Sequence, residues 1–119
     1  FDNQNNVDVI KGKLLLAEAQ ASKGMSKSMT KQGNSVDATP HWDRAKAAYE
    51  TILSGRFDYD TGGTAFINYG NMLLEEGNRE AARQIYLRAI DIFSQLKPFY
   101  AQEARRELAY LSNLESGRN

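Results

Sequence analysis

Three places in this chain bring together residue types that could do chemistry. Asp58, Asp60, Gly62 and Gly63 have the opening spacing of a calcium loop, but its fifth and twelfth positions fall on Gly62 and Tyr69, where an oxygen ligand and a bidentate glutamate are required. A hydrogen-bonded turn is the better reading. His41, followed by Trp42 and Asp43, is the single histidine. One histidine makes no metal cluster, and no neighbouring nucleophile and orienting group complete an acid–base set, so it reads as a first-turn surface residue. Glu75 and Glu76 read as the solvated end of a helix rather than a catalytic carboxylate pair. There is no cysteine, phosphate-binding loop or metal-ligand spacing, so no cofactor or metal is expected and the chain reads as non-catalytic.

The composition is that of one ordinary globular domain, expected to span residues 1–119: 41% hydrophobic, 25% charged, with fifteen basic residues balancing fifteen acidic ones. Such a balance sets up no global field for nucleic acid or an anionic membrane surface, so nucleic acid is not an expected partner and any contact with such a surface would be local. The longest apolar run, Leu14-Leu15-Leu16-Ala17, falls far short of the roughly 20 residues that span a bilayer, so no direct membrane insertion is expected. The chain begins at Phe1 without a leader-like segment, which reads as a piece of a longer product whose compartment is not encoded here.

Helical periodicity supplies the elements. Val9, Ile10, Leu14, Ala17 and Ala21 predict a first helix from about residue 7 with that stripe inward, widened by Leu15 and Leu16. Residues 22–39 are poor in core formers and carry Lys23, Lys27 and Lys31, so they read as an insertion, with 32–37 mobile; Met25 and Met29 allow the first helix to run into part of it. Thr39-Pro40 predicts a cap and first helical residue, followed by a helix to about residue 53 with Trp42, Ala45, Tyr49 and Ile52 on one stripe. Residues 56–63 read as a turn-rich linker pinned by Phe57 and Tyr59. A hairpin then occupies 64–93, broken at Gly77, and Pro98 opens a last helix to about residue 114 with Phe99, Ala101, Ala104, Leu108 and Leu111 inward and Arg105, Arg106 and Glu107 outside.

Within 64–93 the sequence runs Phe66, Tyr69-Gly70, Leu73, Gly77, Ala82, Tyr86 and Ala89, large and small residues alternating as closely packed antiparallel helices require. This spacing resembles the tetratricopeptide repeat, and Gly12 with Ala45 and Tyr49 looks like a second, divergent copy over 7–54. Departures are Phe66 for tryptophan, the exchange of Tyr69 and Leu73, and a proline that arrives only at Pro98. The resemblance implies an all-α fold of antiparallel hairpins stacked as a short right-handed superhelix, two repeats and a closing helix. It also implies a protein-interaction scaffold, an adaptor or assembly factor, whose groove receives a peptide or helix of a partner.

By the family's geometry Asn68, Asn71, Leu74 and Glu75 face that groove, with Ile10, Lys13 and Ala17 from the first helix. Arg105 or Arg106 approaches it from the last helix, and Lys23, Lys27 and Lys31 of the insertion offer contacts to an acidic partner or a lipid surface, unless the insertion is only a solvated excursion. The carboxylate clamp of one branch of the family is incomplete, because Lys13 stands where that clamp needs asparagine. Two other readings are a self-associating module and a regulatory domain of a larger membrane-anchored or catalytic protein.

Overall fold

The computed structural model describes residues 9–55 and 57–117, and among them the chain is all-α, with no strand. Five helices follow one another: α1 (Val9–Lys31), α2 (Ser35–Ser54), α3 (Tyr59–Glu75), α4 (Arg79–Phe93) and α5 (Pro98–Glu115). The chain divides into two compact units, one ending at Thr61 and the other beginning at Gly62, so α3 starts in the first and continues through the second. The expected start of α1 at residue 7 lies outside the described residues.

In the first unit α1 packs along α2. The expected insertion over 22–39 is instead helix on both sides of a tight turn: α1 runs on to Lys31, and α2 begins at Ser35, leaving only Gln32, Gly33 and Asn34 between them. Gly33 takes φ +80°, and its N–H donates to the Thr30 carbonyl at 3.0 Å while the Asn34 N–H donates to that of Met29 at 2.8 Å. These two bonds satisfy carbonyls that a helix end leaves open, and the left-handed glycine is what allows both at once. The connection is therefore a closed turn and not a loop of 18 residues. Pro40, expected to be the first residue of its helix, lies inside α2.

The turn between α3 and α4 is built the same way. Gly77 has φ +85°, its N–H donates to the Leu74 carbonyl at 3.0 Å, and the Asn78 N–H donates to that of Leu73 at 2.9 Å. Asn78 also caps α4, its side-chain oxygen accepting from the Ala81 N–H at 3.4 Å. Each turn thus carries a Gly-Asn pair, and each is followed four residues later by a buried alanine, Ala38 or Ala82.

Counting from these turns corrects the register of the first hairpin. Ala45 and Tyr49 lie twelve and sixteen residues beyond Gly33, whereas Ala82 and Tyr86 lie five and nine beyond Gly77, a difference of seven residues or two helical turns. The residues level with Gly70, Ala82 and Tyr86 are Ser26, Ala38 and Trp42; the set Ala19, Ala45 and Tyr49 repeats the same order of sizes two turns further out. Gly12 does not take the place of Gly70. A methyl group there would lie 2.9 Å from the Phe57 ring and 3.1 Å from Thr61, so its neighbours are the α2–α3 connection and the start of α3.

Gly12, Ala19 and Ser26 recur every seven residues and are all buried with Ser22. The expected stripe of Val9, Ile10, Leu14, Ala17 and Ala21 is exposed instead. Close approach of two helices selects the small face of α1, and the larger aliphatic residues fall on the other side. On α2 the expected positions Ala45, Tyr49 and Ile52 are buried, with Trp42 half-buried.

The connection before α3 is shorter than expected. Asp58 caps the helix, its carboxylate accepting from the Thr61 N–H at 3.2 Å and from the Thr61 hydroxyl at 2.7 Å. Asp60, Gly62 and Gly63, expected in a linker, are helical. Phe57 is buried, as a pin should be.

In the second unit α4 packs along α5, and the glycines of α3 let aromatic rings approach its backbone. A methyl group at Gly70 would sit 2.5 Å from the Tyr86 ring, and one at Gly63 would sit 2.3 Å from the Tyr100 ring. Phe66, Phe93 and Tyr100 pack edge to face, with centroids 5.9 and 5.7 Å apart in the two successive pairs. Arg83 joins Glu80 on its own helix to Glu115 at the end of α5. Ala101, Ala104 and Leu111 of α5 are buried as expected, but Phe99 is exposed and Glu107 is half-buried, the reverse of their expected places.

Candidate functional site

Two recesses of the second unit are lined by α3 and α5. The first, of about 170 Å³, is formed by Thr64, Ile67 and Asn68 of α3 with Phe99, Tyr100 and Glu103 of α5. The second, of about 380 Å³, is formed by Asn71, Leu74 and Glu75 of α3, Gly77 and Arg79 after it, and Tyr110 and Leu114 of α5. Helical periodicity explains the pairing. Asn68, Asn71 and Glu75 share a stripe of α3, while Phe99, Glu103, Glu107, Tyr110 and Leu114 share one of α5, adjoining the face of the buried Ala101, Ala104 and Leu111.

At the floor of the larger recess the Tyr86 hydroxyl of α4 donates to the Asn71 side-chain oxygen at 2.6 Å. Asn71 is thereby held in one orientation, with its amide N–H groups turned away from the bonded oxygen. Burial, followed by the negative charges of Glu107 and then Glu75, pushes the Tyr86 phenol well above its ordinary range. It is therefore a fixed hydrogen-bond donor and no acid at any physiological pH. Burial first, then repulsion by Glu103, also pushes the Glu107 carboxyl up, with Arg106 opposing in part. The Glu103 carboxylate accepts from Arg106 at 2.8 Å. The α3–α5 line is thus acidic and aromatic, with Arg79 at one end.

Of the residues singled out in the sequence, Asn71, Leu74 and Glu75 come together in one recess and Asn68 lines the other. Arg105 lines neither: it is exposed, and its guanidinium donates to the Ser94 hydroxyl at the end of α4 at 3.3 Å. Lys13, Lys23, Lys27 and Lys31 all lie on α1 in the first unit, Lys13, Lys27 and Lys31 exposed and Lys23 half-buried. Ile10 and Ala17 are exposed on the same helix. Sequence reasoning missed Phe99, Glu103, Glu107 and Tyr110. Their spacing at i, i+4, i+8 and i+11 was a legible signal, hidden because Phe99 looked like a core residue.

The remaining candidates behave as ordinary surface groups. The His41 ring nitrogen lies 3.4 Å from Arg44 one turn along α2, and Asp58 serves as the cap described above. Among the described residues no three ligating side chains cluster as a metal site, and no helix is long and apolar enough to cross a membrane. No family model, curated protein or solved structure matches the chain.

Proposed function

We propose that this chain is a non-catalytic protein-interaction scaffold of tetratricopeptide type, an adaptor or assembly module that holds a peptide or helix of a partner along the α3–α5 line. The observation that carries this reading is the pair of recesses: the asparagines and Glu75 of α3 face exposed aromatic rings of α5 across space that no side chain fills. Half-buried asparagines beside aromatic residues suit a polypeptide ligand, the former bonding backbone groups and the latter supplying rigid apolar contact. The tight approach of Gly70 to Tyr86 and the matching Gly-Asn turns support the family resemblance.

A photo-crosslinking residue at Tyr110 tests this reading. It should trap a partner polypeptide that the same probe at the exposed Asp91 of α4 does not, and trapping should fall when Asn68→Ala and Asn71→Ala are combined. Equal trapping at both sites, or trapping indifferent to the asparagines, would reject the groove.

A further inference from the structure

The first unit carries a surface that matches this groove. Ile10, Leu14, Ala17, Ala21 and Met25 lie at i, i+4, i+7, i+11 and i+15, which places them on one side of α1, opposite Gly12, Ala19 and Ser26. All five are exposed, Ile10 by 75% and Leu14 by 66%. Isolated apolar residues on a surface are ordinary, whereas five in register along one helix make a patch of the kind that marks an interaction face. Lys13 and Lys31 border this stripe on the same side, since the 18 residues between them are five helical turns.

Along α5 the groove stripe runs Phe99, Glu103, Glu107, Tyr110 and Leu114, at i, i+4, i+8, i+11 and i+15. Phe99 is exposed by 63% and Tyr110 by 52%. Both stripes run over 15 residue steps, or about 22 Å of helix. One is aliphatic on a helix that carries five lysines against one glutamate, Glu18, which borders the stripe on the side away from Lys13; the other is aromatic, with Glu75, Glu103 and Glu107 outnumbering Arg79 and Arg106. The two surfaces agree in length, in apolar character and in opposite sign of charge.

We propose that the occupant of the α3–α5 groove is α1 of a second copy of this chain, the proposal resting on the groove reading above. Ile10, Leu14 and Met25 of one copy enter the recesses beside Phe99 and Tyr110 of the next, and Lys13 and Lys31 lie toward Glu103, Glu107 and Glu75. Two different patches meet, so the contact is heterologous: every copy offers one α1 stripe and one groove, and association either closes into a ring of two or more chains or continues as concentration rises. The ion pairs act across a partly hydrated rim and govern encounter and register, while the apolar contacts hold the complex.

Two double variants isolate the two faces: Ile10→Asp with Leu14→Asp, and Phe99→Asp with Tyr110→Asp. All four positions are exposed, and unchanged circular dichroism establishes that each variant is folded. Sedimentation of the unaltered chain over a concentration series should show mass rising from 13.4 kDa to at least that of a dimer, with at least tenfold weaker association in 0.5 M than in 0.05 M NaCl. Each variant alone should stay monomeric at every concentration, and an equimolar mixture of the two should form a dimer that grows no further, because one intact α1 meets one intact groove. A chain that is monomeric throughout overturns the proposal, as does an association that either variant retains. The Tyr110 crosslink separates the two levels: a monomeric chain that still traps a foreign polypeptide there keeps the groove and loses this occupant, and one that traps nothing loses both.

Discussion

Single residues set how closely the helices approach. Because a methyl group at Gly70 would lie 2.5 Å from the Tyr86 ring, Gly70→Ala must push that ring outward and strain its 2.6 Å bond to Asn71. We expect a loss of about 1–3 kcal/mol, read as a lower thermal midpoint, while the exposed Glu75→Ala changes it by under about 0.5 kcal/mol. Equal midpoints for the two variants would contradict the packing described. Glu107 makes a separate, pH-dependent prediction. The folded chain holds its proton more tightly than the unfolded chain, so this group favours folding below the unfolded carboxylate range, and that favour is lost as pH rises through its raised native value. Glu107→Gln should leave the midpoint unchanged near pH 3.5 and raise it slightly, by about 1 °C after allowance for solvent screening, at pH 7. A variant less stable at pH 7 than at acid pH, relative to the parent, would show that the carboxylate is instead stabilised by its surroundings.

At the scale of elements, two readings of residues 22–39 make opposite predictions. If residues 32–37 were mobile and Pro40 opened its helix, Pro40→Ala would remove a favourable first residue. In the structure Gly24 is in the middle of α1 with no atom within 4 Å of an added methyl, and Pro40 interrupts the hydrogen bonds of α2. Gly24→Ala should therefore stabilise by about 0.5–1 kcal/mol, and Pro40→Ala by about 1 kcal/mol or more, in thermal or denaturant unfolding. A loss of stability in Pro40→Ala would restore the insertion. Low hydrophobicity misled the sequence reading here because α1 packs through serine, alanine and glycine, whose burial periodicity scarcely registers on a scale of apolar character. The Gly-Asn pairs at 33–34 and 77–78 were the better guide, since they mark where a left-handed residue must stand. Asp58 was similarly legible as a cap only once Gly63 was understood as the place where the Tyr100 ring needs room, not as a turn former.

Across the whole molecule, the all-helical class and the second hairpin were legible because Phe66, Gly70, Ala82 and Tyr86 combine period with size, and size is what packing reads. The groove was half legible: α3 declared its asparagines, but α5 concealed its aromatic and acidic stripe because Phe99 was counted with Ala101, Ala104 and Leu111 on the inner face. The first hairpin was the least legible, because its message is length: the same small, small, aromatic set occurs twice, seven residues apart on each helix. That interval makes a test of the register possible. Seven residues are close to two full turns, so removing residues 24–30 from α1 and 36–42 from α2 together keeps every face in phase. It brings Ala19, Ala45 and Tyr49 to the distances from Gly33 that Gly70, Ala82 and Tyr86 keep from Gly77. Such a chain loses the burial of Ser26, Met29, Ala38 and Trp42 but none of its pairing, and should unfold cooperatively with a midpoint lowered by about 5–10 °C. Removing either segment alone also keeps the faces in phase, setting Ala19 level with Ala38 and Trp42 or Ser26 level with Ala45 and Tyr49, but it slides one helix past the other by about 10 Å and carries Gly12 away from Phe57 and Thr61, against which it packs in the parent. Either single deletion should therefore lower the midpoint further than the double deletion does, although it removes half as many residues. If stability instead follows the number of residues removed, the two helices are not paired level by level as described.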